Sequence, residues 1–217
     1  MKRYYIRKTL KKEGDNNLDE LSKLKELNDM ISKEAELLLY QYGLAEILKK
    51  YGQIYITGSY STHTMTWRDL DIYIDMRLRE SEFFNLGREI AVTLKPHRMS
   101  YRNNLLENVS NLPRGLYWGI YTNIIETGEW KIDIWAMDSE QFYLYKQESE
   151  ELKANIDFER RNLILLIKGI VCKNPDYRKT LHSIDIYKAV IEGGVKSIGE
   201  FEKWLVDNKG LEYTFIK

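Results

Sequence analysis

"YITGSYSTHTMTWRDLDIYIDM", residues 55–76, sets two apolar runs on either side of a polar stretch, and its reading decides the fold. The first run ends in Gly58-Ser59; the second opens with Asp69 and Asp71, one residue apart. Positions i and i+2 of a strand share a face, which puts these two carboxylates ~6.6 Å apart along the backbone. Leu70, Ile72 and Ile74 take the opposite face and mark it as the core side. Like charges that close raise one another's pKa unless a cation lies between them. A hard divalent ion supplies such a cation, because Mg²⁺ takes carboxylate and phosphate oxygens together.

The flanking sequence places this strand in a mixed sheet. Residues 18–50 carry apolar positions at helical spacing (Leu21, Leu24, Leu27, Ile31, Ala35), read as one long helix or two consecutive ones that stop at Gly52. "QIYITGS" is a short strand ending in a turn, and residues 60–66 are predicted to form a short helix after it. Residues 80–94 read as a helix closed by Pro96, and "HRMSYR" as a strand. "GLYWGIYTNIIETGEWKIDIWAMD" has the pattern of a hairpin about Thr127-Gly128. Beyond it every run has helical period: 139–154, 156–173, 179–192 and 198–208. The expected fold class is therefore α+β: a mixed sheet flanked by helices over residues 1–138, then a helical domain over 139–217.

Bulk composition narrows the class. The chain has 217 residues, enough for one good core with a smaller appendage. Lys plus Arg and Asp plus Glu both number 33, for a net charge of zero, whereas a protein that tracks a long nucleic acid usually carries a basic surplus. The basic start, "MKRYYIRKTLKK", reads as a solvated arm. A single cysteine, Cys172, excludes a disulfide framework and a multi-thiolate zinc site, and His63, His97 and His182 are too scattered to form a ligand set. With no 18-residue apolar run and no signal-peptide core, a cytoplasmic location and no membrane partner are expected.

Two Mg²⁺ ions ~3.5–4 Å apart form the clamp used for in-line displacement at phosphorus, and that clamp recruits a third carboxylate from another strand. Asp133 in "EWKIDIWAMD" suits the part. Ile132 and Ile134 face the core, leaving Lys131, Asp133 and Trp135 opposite. Asp75 and Asp138 lie at strand ends and read as turn aspartates. Gly58 permits close approach of a phosphate, and the Ser59 hydroxyl can donate to a phosphate oxygen.

These residues resemble the polymerase-β-like nucleotidyltransferase superfamily, in particular small bacterial members with a C-terminal helical domain. The shared pattern is a strand, a Gly-Ser turn, a short helix, an Asp-x-Asp strand and a later acidic strand, found here as Gly58-Ser59, Asp69-Leu70-Asp71 and Asp133. The resemblance covers roughly residues 50–138. It implies that Asp69 and Asp71 bind both Mg²⁺ ions (or Mn²⁺), that Asp133 ligates the catalytic metal and helps deprotonate the acceptor, and that Gly58 and Ser59 hold the β- and γ-phosphates of a nucleoside triphosphate. "YSTHTMTWR" departs from the small residues usual after the turn and from the Ser before the first Asp.

In the helical half, Lys168 has Ile164, Leu165, Val171 and Cys172 at its i±3 and i±4 positions. Its ammonium either snorkels to water or points into the cleft. The second reading resembles the template-independent branch of the superfamily, which implies that Lys168 contacts phosphate with help from Ser183 and offers Tyr187 for base stacking. Ser183 equally suits a helix N-cap with Asp185 behind it.

The expected function is transfer of a nucleoside monophosphate from a nucleoside triphosphate to a hydroxyl. Neutral charge and small size point to a small hydroxylated acceptor such as an antibiotic. Transfer to RNA or protein and a non-catalytic, antitoxin-like binding role are the alternatives. An Asp-x-Asp glycosyltransferase with Mn²⁺ would need a nucleotide-binding α/β half upstream of residue 50, where helical spacing stands instead.

Overall fold

The alternation read from residues 69–75 is realised in the computed structural model, which describes residues 2–110, 112–177 and 179–215, the first 17 of these (2–18) by backbone alone. Five strands, β1 (Gln53–Thr57), β2 (Asp69–Asp75), β3 (Arg98–Asn103), β4 (Leu116–Thr122) and β5 (Trp130–Met137), form one mixed sheet in the order β1-β2-β5-β4-β3. β2 and β5 are the parallel pair at its centre; every other neighbour is antiparallel. The β4–β5 hairpin forms as the sequence predicts, with residues 123–129 as its connection.

Leu70, Ile72 and Ile74 on β2 and Ile132 and Ile134 on β5 are fully buried on one face. Helix α4 (Glu80–Leu94) covers that face with Phe83, Leu86 and Ile90. Gly87 lets it come close: a Cβ there would lie 2.7 Å from the Trp118 ring.

Before the sheet come α1 (Lys2–Glu36), a π-helical turn at Leu37–Gln41, and α2 (Leu44–Lys49). The basic stretch expected to be a solvated arm is thus part of α1; its Lys, Arg and Leu are strong helix formers. Gly43, at φ 77°, makes the break before α2. The helix after the glycine turn is α3 (Gly58–Ser61), earlier and shorter than residues 60–66. It stops because His63 takes a left-handed φ of 54°, while Thr64 N–H donates back to the Ser59 carbonyl at 2.9 Å. A four-residue helix, α5 (Asn104–Glu107), follows β3.

The C-terminal helices are α6 (Ser139–Ala154), α7 (Phe158–Val171), α8 (Ser183–Ile191) and α9 (Ile198–Lys209). The chain divides into two compact units, residues 30–154 in one and residues 1–29 with 155–217 in the other. The first holds the sheet with α6. In the second, α7 packs on the first part of α1 at Gly169, where a Cβ would lie 2.6 Å from Leu24 Cδ2. No helix among the described residues is long and apolar enough to cross a membrane.

Candidate active site

The parallel pairing of β2 with β5 sets Asp71 directly opposite Asp133 and Asp69 opposite Lys131. All four side chains therefore stand on the face away from α4. One register row runs Thr57, Asp71, Asp133, Gly119, Ser100 across the five strands. The next row toward the start of β2 holds Asp69, Lys131, Tyr121 and Arg98. The row on the other side holds Tyr55, Tyr73, Trp135, Tyr117 and Arg102.

Lys131 is the cation inside this carboxylate group. Its ammonium bonds Asp133 Oδ2 and lies 3.4 Å from Asp69 Oδ1. Burial draws the lysine pKa down, but Asp69 and Asp133 outweigh it, and the group sits above its ordinary range. Burial pushes the Asp133 carboxyl up; Lys131 opposes this, Asp69 adds to it, and the net direction is upward. The Tyr117 hydroxyl donates to Asp133 Oδ1 at 2.7 Å. Burial, then the charge of Asp133, drives that phenol far above its ordinary range, so it serves as a neutral donor. Trp67 Nε1–H donates to Asp69 Oδ2 at 3.2 Å.

Gly58 makes room for Asp71. Its φ is 67°, a conformation glycine adopts without strain, and a Cβ there would lie 2.1 Å from Asp71 Oδ2. The turn thus brings bare backbone up against a carboxylate, with Ser59 next in the chain.

Behind the site a buried ion pair holds the stretch least like the family pattern. Arg68 binds Glu34 of α1 through two bonds, Nε–Oε2 at 2.7 Å and Nη2–Oε1 at 3.0 Å. Trp130 Nε1–H also donates to Glu34 Oε2, at 3.2 Å. One carboxylate therefore ties the residue before Asp69 to the first residue of β5. Helix α6 roofs the tyrosine row: Tyr145 packs edge-on against Tyr73 with centroids 5.7 Å apart, and Ser149 Oγ lies 2.9 Å from Thr57 Oγ1.

Gly58, Ser59, Asp69, Asp71 and Asp133 are thus together in one unit. Lys168 and Ser183 belong to the other. Lys168 is fully buried, its ammonium 5.8 Å from the Tyr187 ring centroid, so its head does not snorkel to water. The N-cap of α8 is His182, whose N–H donates to Asp185 Oδ2 at 2.8 Å; Ser183 is the first helical residue, with its Oγ 2.6 Å from the Tyr177 hydroxyl. Asp138 accepts from Gln141 N–H at the start of α6, and Asp75 accepts from the Ser139 hydroxyl. Glu34 and Tyr117 escaped sequence reasoning. Only Tyr117 left a signal, its place two residues before the glycine of "YWG" on the polar face of a hairpin strand.

The donors are three hard carboxylates on one face, with a basic side chain already among them. That chemistry fits Mg²⁺, although among the described residues no three His, Cys, Asp or Glu side chains are grouped as an ion's ligands.

No family model and no curated protein matches the sequence. Solved structures do match. Cid1 poly(U) polymerase with MgGTP bound superposes with a TM-score of 0.55 at 16% identity, over 79% of this chain and 55% of that one. The same enzyme in complex with its short product ApU gives 0.54 at 15% identity, over 78% and 52%. A cytoplasmic RNA terminal U-transferase gives 0.55 at 15% identity, over 81% and 53%. The chain spans about half the length of the structures it matches. At these identities the likeness is one of fold, the fold this chain shares with the poly(U) polymerase and the RNA terminal U-transferase.

Proposed function

We propose that this chain transfers a nucleoside monophosphate from a nucleoside triphosphate to an acceptor hydroxyl, releasing pyrophosphate. The observation that carries the reading is the register of β2 on β5, which puts Asp71 beside Asp133 and Asp69 one pleat away. Asp69, Asp71 and Asp133 would hold Mg²⁺, as two ions or with Mn²⁺ in their place. Bound there, the metal would acidify the attacking hydroxyl and neutralise charge on the phosphates. Asp133 would receive the hydroxyl proton, held in place by the Tyr117 phenol. Gly58 and Ser59 would take the β- and γ-phosphates.

Lys131 already sits among the proposed ligands, which gives a measurable consequence. Lys131→Met removes a positive charge from among the ligands, so Mn²⁺ should bind about tenfold more tightly, one pKa-unit equivalent of interaction. In chelator the same variant should melt at a lower temperature than the parent, since Asp69 and Asp133 lose their shared ammonium. Calorimetric Mn²⁺ titration and thermal melts read the two effects. Unchanged metal affinity would show that Lys131 does not compete for the carboxylates.

Zero net charge supports a compact hydroxylated acceptor, an antibiotic being one example, over a long RNA. The second reading is an RNA 3′ end, supported by neighbours that are a poly(U) polymerase and an RNA terminal U-transferase. A screen of labelled nucleoside triphosphates with Mg²⁺ against pools of small hydroxyl compounds, RNA and protein should release pyrophosphate with one acceptor class. Silence across all pools would sink the enzymatic reading.

A further inference from the structure

β3 is the last strand of the sheet, so one row of its N–H and C=O groups meets no neighbouring strand. Which residues form that row follows from the pairing with β4. Asn104 N–H donates to the Gly115 carbonyl at 2.9 Å, one step beyond the paired residues. Inward-bonded positions alternate along an antiparallel ladder. Arg98, Ser100 and Arg102 therefore turn their backbone groups to β4, while Met99 and Tyr101 turn theirs outward.

The side chains alternate in the same register. Met99 and Tyr101 pair with the buried Ile120 and Trp118, so they stand on the side of the sheet that α4 covers. There the Phe84 ring of α4 packs 4.8 Å from the Tyr101 ring and is still 47% exposed. Glu80 fixes that tyrosine by accepting from its hydroxyl at 2.6 Å. Arg98 and Arg102 stand on the carboxylate side, with the exposed Ser100 between them. The Arg98 guanidinium carbon lies 3.6 Å from the Tyr121 ring centroid, and Arg102 Nε lies 3.3 Å from Glu107. The second contact is a surface ion pair, which exchanges partners at little cost. The open edge thus has an apolar side and a basic side.

A second copy of this chain does not match that edge. Antiparallel pairing of β3 with itself about a two-fold axis sets the two arginines of each copy on one face, and like charges across strands repel. Edge charges of this kind guard against self-pairing. We propose that β3 accepts an added strand from a partner protein, an extended segment in which acidic and apolar residues alternate. Its acidic side chains lie beside Arg98 and Arg102, and its apolar ones beside Met99, Tyr101 and Phe84. Its backbone completes the hydrogen bonds of Met99 and Tyr101. Main-chain bonds then supply affinity, and the alternate side chains supply specificity. The added strand lies three strand spacings, ~14 Å, from Asp133. Physiological salt screens exposed charges beyond ~8 Å, so the carboxylates of the sheet do not repel it.

The probe is a fluorescent octapeptide of alternating glutamate and valine, titrated by anisotropy into the full chain with no triphosphate present. Its controls are a lysine–valine octapeptide and two forms of the probe, one N-methylated at the valines and one at the glutamates. The glutamate peptide should bind tenfold or more tightly than the lysine peptide. One methylated form should lose binding while the other keeps it. Loss at the valines marks an antiparallel strand and loss at the glutamates a parallel one, because the nitrogens that face β3 differ between the two ladders. In the double variant Arg98→Glu, Arg102→Glu the order of the two peptides should invert, and the inverted binding itself shows a kept fold. The comparisons on the parent stand even where that variant fails to fold. No binding, binding indifferent to the sign of the peptide charge, or an equal effect of both methylations overturns the proposal. A parent that is dimeric by light scattering and takes no peptide also overturns it, and gives the edge to a second copy.

Discussion

Asp71→Asn should reduce pyrophosphate release by on the order of 10³-fold or more while leaving the fold intact. Metal-assisted charge stabilisation contributes several kcal/mol, and each 1.36 kcal/mol is a factor of ten in rate. Asn keeps the volume that Gly58 was left bare to admit, so a loss of activity would not be a loss of packing. What changes is one hard anion in the row that holds Asp133. Initial rates at saturating triphosphate and acceptor, with melting temperature as the control, decide the matter. A variant retaining a tenth of the parent rate would remove Asp71 from the chemistry. Unchanged biological activity in Asp71→Asn would instead favour the antitoxin-like binding role.

Glu34→Leu should be the most destabilising single change in the sheet-bearing unit. Only 8% of the Glu34 side chain is exposed, and removing it strands the Arg68 guanidinium and the Trp130 indole N–H in a buried place. Breaking one partner of a buried pair costs ~3–5 kcal/mol. In a chain of this length each kcal/mol lowers the melting temperature by roughly 2–4 °C, so a drop of about 10 °C is expected. Glu34→Leu with Arg68→Leu should recover part of it, because the second change removes the stranded charge. Equal melting of parent and single variant would show that the pair contributes nothing.

The same carboxylate gives a pH dependence with a definite sign. Burial raises the Glu34 pKa, but the bonds from Arg68, Thr127 and Trp130 outweigh it and hold it below the ordinary 4.5. A depressed carboxylate contributes stability that is complete above the unfolded pKa and fades as pH falls through the folded one. The parent should therefore lose more stability than Glu34→Leu does as pH drops below about 4.5.

Most of the site's face was legible because a strand writes its two faces in alternate letters. "DLDIYID" and "KIDIW" each separate apolar from ionisable positions, and that separation placed Asp69, Asp71, Lys131 and Asp133 on one side of the sheet. What the letters do not carry is partnership at a distance. Glu34 lies 34 residues from Arg68 and 96 from Trp130, and nothing local distinguishes it from the other glutamates of α1. Tyr117 became a partner of Asp133 only through the register of β4 on β5. The end of α3 was misplaced because the left-handed turn falls on His63, with no glycine there to mark it.

The pairing of β2 with β5 also bears on the order of assembly. Asp69 and Asp133 stand some sixty positions apart in the chain and meet only when the intervening helix α4, strand β3 and the β4–β5 hairpin are in place. Non-local pairings close their loops before any contact rewards them, and they form slowly. The carboxylate group should therefore be among the last parts of the sheet to appear during refolding. A half-folded molecule would then carry two acidic half-sites with little power to capture an ion.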